Sequence, residues 1–161
     1  MRIGFDYGTS NCAVALWQEG RVRRVPLEGS ELYLPSTLHA PHRDVIADLL
    51  LPLVAQDQRA FFIEQRGVAL AKAPRLRAAI EDEGLEYQLL VGRAATSRYL
   101  AAPEEGYYLK SPKSFLGATG LSPQQLTLFR DLVAIMMQRI RQAAETALQQ
   151  EVRQAMISQP V

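Results

Sequence analysis

One cysteine, two histidines and one tryptophan are all that 161 residues contain of those types. A lone cysteine, Cys12, excludes an internal disulfide framework. It lies in an apolar run and reads as a small core residue. His39 and His42 are not spaced with it as zinc ligands, and both read as surface loop residues. Charge of one sign is also lacking. Lysine and arginine number 18 against 17 acids, for a net charge of +1, so no field favours nucleic acid. In the one basic cluster, Arg21, Arg23 and Arg24, Arg21 and Arg23 share one strand face with Val22 on the other, and the cluster reads as a solvated strand face. No apolar run approaches the roughly 18 residues of a membrane span. The opening MRIGFDYG carries an acid at position 6, unlike a signal peptide. A cytoplasmic protein with neither nucleic-acid nor membrane partner is expected. The nucleotide signatures GxxxxGK[ST] and GxGxxG are missing, as are a GxSxG elbow and an ordered Ser, His and Asp set.

What is present suits one compact domain: 48% of the residues are hydrophobic, enough for a core. Arg2 to Asp6, Asn11 to Gln18 and Arg21 to Pro26 read as an antiparallel meander, the last two joined at Glu19-Gly20. Glu28 to Leu34 reads as a loop, and Pro35 to Leu38 begins another extended piece. His42 to Gln56 is partly helical. Gln58 to Ala73 has helical spacing, Pro74 breaks or kinks it, and Arg75 to Glu83 continues it to Gly84. A strand over Glu86 to Val91, a helix over Ala94 to Ala101 and a strand over Tyr107 to Lys110 follow. Ser122-Pro123 starts a long helix, with serine as N-cap and proline at the first helical position. Its apolar stripe is Leu126, Phe129, Val133, Met136, Met137, Ile140, Ala144, Ala147 and Leu148, and it runs to about Glu151. Ala155 to Val161 is a final strand. Three meander strands, a long helix and a fourth strand make the first half of a ribonuclease-H-like sheet. The fourth strand then presents an unpaired edge, from which a fragment of a larger protein and self-association are expected.

The turn Asp6-Tyr7-Gly8-Thr9-Ser10-Asn11 is the one place where chemistry-bearing residues gather. Two readings stand. Backbone N–H groups of Gly8, Thr9 and Ser10 converge as a nest for phosphate oxygens, Gly8 allows close approach, and Asp6 orients water on Mg²⁺. Alternatively it is an ordinary hairpin turn whose Asp and Asn cap the backbone.

The stretch Ile3-Gly4-Phe5-Asp6-Tyr7-Gly8-Thr9-Ser10-Asn11-Cys12-Ala13-Val14-Ala15 closely resembles the first phosphate loop of Hsp70 chaperones, IGIDLGTTNSCVAV. Further segments resemble the family in its own order. Leu34 to Thr37 resembles the TPS segment, Val91 to Ala95 resembles VGDAA, Lys113 to Gly117 resembles KRLIG, and Ala155 to Pro160 resembles AVITVP. The similarity is greater to the YegD-like branch of the Hsp70/actin-like ATPase superfamily. That branch shares FDYGT-N, KSPKSFLGA (Lys110 to Ala118), a PQQ step (Pro123 to Gln125) and a FxDLVxxMM helix (Phe129 to Met137). The resemblance covers essentially the whole chain.

The resemblance implies an α/β fold, the first half of lobe I of an actin/Hsp70-type ATPase. Residues 1–38 and 114–161 would form its core, with a small α+β subdomain inserted at 39–113. It implies ATP/ADP and Mg²⁺ as cofactors. Asp6 would hold magnesium through water. Gly8, Thr9 and Ser10 would hold the β- and γ-phosphates, flanked by Asn11. Lys113 falls on the family's catalytic lysine, where a compact positive charge orients the attacking water and offsets charge on the departing γ-phosphate; Lys110 is a weaker candidate. The second phosphate loop, DxGGGT, the adenosine motif and the second lobe are not in this sequence. The isolated chain is therefore expected to bind ATP weakly or not at all, and not to turn it over. In the intact protein, slow hydrolysis would open and close the lobes and serve unfolded client proteins. Two rivals share these features. A sugar-kinase-like phosphotransferase has the same sheet and a DxGT loop, although Lys113 and KSPKSFLG favour the chaperone branch. In a non-catalytic scaffold lobe, the turn is only structural.

Overall fold

The computed structural model describes residues 1–115 and 117–158. Leu116 of the KSFLG stretch, and Gln159 to Val161 of the expected last strand, lie outside the described residues.

Strand β1 (Arg2–Tyr7) shows why the chain begins as a sheet. Ile3, Phe5 and Tyr7 are buried, while Arg2, Gly4 and Asp6 are exposed, the period of two that puts one face on a core. Strand β2 (Asn11–Gln18) returns antiparallel with Tyr7 opposite Cys12, burying Cys12, Val14 and Leu16 on the same face. Glu19 and Gly20, both at positive φ, form the two-residue hairpin whose twist matches its strands and lead into β3 (Arg21–Val25). There only Val25 is buried, and the arginines are solvated as expected. Strand β4 (Tyr33–Pro35) pairs with the opening residues of β2. Strand β8 (Gln154–Ile157) adds to the other side of β1 in parallel, giving the order β3-β2-β1-β8. Its four residues are all exposed, with Met156 70% accessible.

Helix α4 (Pro123–Leu148) closes over the buried face. Ser122 and Gln125 form a reciprocal capping box, which satisfies two of the orphan N–H groups of the first turn. The core side of the helix is Phe129, Leu132, Ile135, Met136, Ile140 and Ala144, each large side chain contributing about 1.5–3 kcal/mol by burial. The expected stripe was therefore set slightly off. Leu126 and Ala147 are exposed, and Leu132 and Ile135 take the inward positions. The helix ends at Leu148, before Glu151, because Gln149 adopts a left-handed cap.

At Ser36 the chain leaves this sheet for a second, antiparallel one. Its order is β6-β5-β7, formed by β5 (Thr37–Ala40), β6 (Leu90–Val91) and β7 (Tyr107–Lys110). Here several expectations are corrected. The strand expected over Glu86 to Val91 is only two residues long, because pairing is confined to Leu38 and His39. His39 is not a surface loop residue. It is buried in β5, with Nε2 3.0 Å from the Glu105 carbonyl; His42 is exposed and caps a 3₁₀ turn through Nδ1. Of the break or kink expected at Pro74 there is no break: the helix continues through it as expected, and α2 runs from Arg59 to Asp82 as one element. Packing on both sides of the proline outweighs the lost backbone bond. Phe62, Ala73 and Ile80 are buried, Arg66 meets Asp131 of α4, and Arg77 meets Asp48. The remaining helices are α1 (Ile46–Leu50) and α3 (Arg93–Ala101).

The Arg66–Asp131 pair clamps α2 to α4. Arg66 Nη2 donates to Asp131 Oδ1 at 2.6 Å and Nε donates to both carboxylate oxygens at 3.1 Å. Asp131 is buried, and burial pushes its carboxyl up despite the guanidinium. Asp131→Ala leaves a largely buried cation without its anion and is expected to cost about 3–5 kcal/mol. Asp131→Asn, which retains an acceptor, should cost less. Urea denaturation measures both, and equal stability of the Ala variant and the parent would contradict the clamp.

The protein is thus of mixed α/β class, with one mixed and one antiparallel sheet. Among the described residues no helix is long and apolar enough to cross a membrane.

Candidate functional site

The β1–β2 hairpin ends in Gly8-Thr9-Ser10. The Gly8 N–H donates to the Asn11 carbonyl at 3.1 Å. A Cβ built on Gly8 would lie 2.4 Å from that oxygen. Glycine is therefore required by close backbone approach, not by a left-handed φ. Thr9, Ser10 and Asn11 are exposed. Among the described residues, the amides of Thr9 and Ser10 have no hydrogen-bond acceptor. These are the free donors that an anion would need.

Two charged groups flank this tip. Asp6 projects from the exposed face of β1, and its Oδ1 accepts from the Ser158 hydroxyl at 2.9 Å. Lys113, in the 3₁₀ turn Pro112–Phe115, lies 106 residues away from Tyr7 in sequence. Its Nζ nevertheless donates to the Tyr7 carbonyl at 2.5 Å and sits 5.7 Å from the Tyr7 ring centre. Both charges act on the buried Cys12 thiol. Burial pushes that thiol up, the Ser36 hydroxyl and Gly8 backbone contacts pull it down, Asp6 raises it and Lys113 lowers it. Burial also raises the Tyr7 phenol, with Cys12 adding to the effect. Lys110 is exposed at the end of β7 and makes no side-chain hydrogen bond among the described residues.

A shallow groove of about 380 Å³ runs from Asp6 and Ser158 over Gly4, Ala13 and Ala15 on the open sheet face. A second cavity, of about 330 Å³, lies among His39, Arg98 and Glu105. Gly8, Thr9, Ser10 and Lys113 line neither. The tip is an open surface.

The chemistry of the donor set limits which metal fits. Among the described residues no group of three or more His, Cys, Asp or Glu could hold an ion, which excludes a zinc-type site there. One exposed carboxylate, Asp6, fits a cation that keeps most of its water and takes the rest of its shell from phosphate oxygens, as Mg²⁺ does.

Sequence reasoning placed Asp6, Gly8, Thr9, Ser10 and Asn11 together because they are consecutive. The structure brings Lys113 to the same tip. Local pattern assigns no role to Ser36 or Ser158, which contact the tip from β4–β5 and from beyond β8. The only signal for either was that both fall inside segments already singled out, Leu34 to Thr37 and Ala155 to Pro160. No protein-family model matches the chain.

Proposed function

We propose that the hairpin tip is one half of a Mg²⁺-nucleotide phosphate site, in the first half of a ribonuclease-H-like ATPase lobe of Hsp70/actin type. The observation that carries this reading is the Lys113 ammonium on the Tyr7 carbonyl. It sets a cation beside free amides and opposite a carboxylate, on a loop whose sequence resembles the Hsp70 phosphate loop. The topology supports it: an antiparallel meander β3-β2-β1, a long helix, then β8 parallel to β1.

In this reading the free amides of Thr9 and Ser10 and the Lys113 ammonium receive the terminal phosphates, with Gly8 giving the close backbone approach. Lys113 leaves the Tyr7 carbonyl for a phosphate oxygen, a stronger acceptor because it is charged. Asp6 orients the metal's water; bound Mg²⁺ supplies charge neutralisation on the phosphates. ATP hydrolysis requires phosphate and adenine contacts from a second lobe, so this chain alone binds weakly and does not turn over. Hydrolysis opens and closes the lobes around the nucleotide, and the output is folding assistance to client proteins.

Asp6→Asn tests the metal role, because the amide keeps an oxygen for the Ser158 hydroxyl while losing the charge. Affinity for ATP with Mg²⁺ is expected to fall about tenfold, roughly 1.4 kcal/mol, with affinity for metal-free ATP unchanged or improved. Equal Mg·ATP affinity in the variant and the parent would refute the role of Asp6.

A further inference from the structure

Ser36 is fully buried (0% accessible). It is the single residue between β4 and β5, where the chain crosses from one sheet to the other. Its N–H donates to the Ser10 carbonyl at 2.9 Å, and its hydroxyl donates to the Gly8 carbonyl at 2.8 Å. Its own carbonyl accepts from the Ser111 N–H at 2.8 Å. A serine hydroxyl has one proton. With that proton on Gly8, the 3.3 Å contact to Cys12 Sγ has the thiol as donor. One buried residue thus holds two carbonyls of the hairpin tip and the segment that carries Lys113.

The consequence follows from peptide geometry. The described peptides are all trans, so the C=O and the following N–H point in opposite directions across each planar unit. Drawing the Gly8 and Ser10 carbonyls inward to Ser36 turns the N–H groups of Thr9 and Asn11 away from it. The Ser111 bond fixes where the next turn starts, two residues before Lys113. Ser111 itself is held at φ 58°, an uncommon conformation for a non-glycine residue.

We infer that Ser36 is the positioning residue of the tip: it turns the Thr9 and Asn11 amides away from itself and couples the loop to Lys113. This rests on the phosphate-site reading above for its functional consequence, but not for its structural one. It does not touch the phosphates.

The test is Ser36→Ala, with Ser36→Cys and Cys12→Ala beside it, each followed by ¹⁵N NMR with and without Mg·ATP and by thermal unfolding. Without nucleotide, Ser36→Ala, which loses the hydroxyl bond to Gly8 but keeps both backbone bonds, should shift the Thr9 amide most and carry a smaller shift through Ser36 to Ser111 and Lys113, while leaving α4 unmoved. With Mg·ATP its affinity should fall about tenfold. Ser36→Cys, which keeps a weaker donor, should lie between it and the parent, and should replace it if the alanine variant fails to fold. Cys12→Ala leaves both Ser36 donations in place and should bind within about twofold of the parent. If the parent binds Mg·ATP at the tip and both Ser36 variants bind equally well, the positioning role is wrong and the phosphate site stands. If the parent shows no binding yet Ser36→Ala still moves Thr9 and Lys113 together, the coupling is real and the phosphate reading is wrong. If Ser36→Ala leaves the Thr9 amide unmoved, the aiming role of the Ser36 hydroxyl is refuted outright.

Discussion

Gly8→Ala is expected to distort the hairpin tip and abolish binding of Mg·ATP there. The new Cβ would sit 2.4 Å from the Asn11 carbonyl oxygen and 3.5 Å from its carbon. Both are backbone atoms, so no flexible side chain can yield. Relief requires opening the turn, which breaks the Gly8 N–H to Asn11 bond and drags the Gly8 carbonyl off Ser36. Backbone strain and lost hydrogen bonds together should cost about 2–3 kcal/mol, or roughly 5–10 °C in Tm for a chain of this size. Gly4→Ala is the control: in β1, just before the turn, a Cβ there meets only the Ala15 carbonyl at 3.7 Å, an ordinary contact. It should change stability by no more than about 0.5 kcal/mol. Calorimetric unfolding of the two variants separates a special loop from a merely crowded sheet. Equal melting temperatures would contradict the loop geometry.

Lys113→Met should remove the second half of the tip's chemistry without removing the fold. Methionine keeps the length and the apolar stem but carries no charge. A charge-assisted hydrogen bond to phosphate is worth about 1.5–3 kcal/mol, so affinity for Mg·ATP should drop tenfold or more. Any longer form that carries the second set of phosphate contacts should lose turnover by about a hundredfold. Lys110→Met changes the same residue type three positions earlier, on an exposed strand end, and should leave binding as it was. If Lys113→Met binds like the parent, the lysine is only a support for the Tyr7 carbonyl. If Lys110→Met is the variant that loses binding, the cation has been assigned to the wrong residue.

The parts of the fold that the sequence disclosed are those in which local pattern and tertiary burial agree. In β1 and β2 the alternation of Ile3, Phe5, Tyr7 and then Cys12, Val14, Leu16 names the buried face directly. In α4 the Ser122-Pro123 start coincides with a capping box. The failures lie where long-range contacts decide. Nothing local marks His39 as buried, because its burial comes from strands and a loop that arrive about fifty to seventy residues later. Pro74 reads locally as a break or a kink, and the choice is made by partners outside the helix, Asp131 and Asp48, that anchor it on both sides. Helical spacing gave the α4 stripe an error of about one position, enough to put Leu126 inside and Leu132 outside. For the site, the consecutive run from Asp6 to Asn11 was legible because it is one turn. Lys113 was legible only through resemblance. Ser36 was not, since its importance lies in bonds to residues 26, 28 and 75 positions away.

The most direct test is a ¹⁵N NMR titration of this chain with Mg·ATP into the millimolar range, where a half site with roughly 4 kcal/mol of binding energy saturates. The amides of Gly8, Thr9, Ser10 and Asn11 are expected to shift in a saturable, magnesium-dependent way, together with Lys113 and Ser36, while α2 and the cavity at His39, Arg98 and Glu105 stay still. A silent tip at saturating nucleotide, or a footprint confined to that cavity, would contradict the phosphate site.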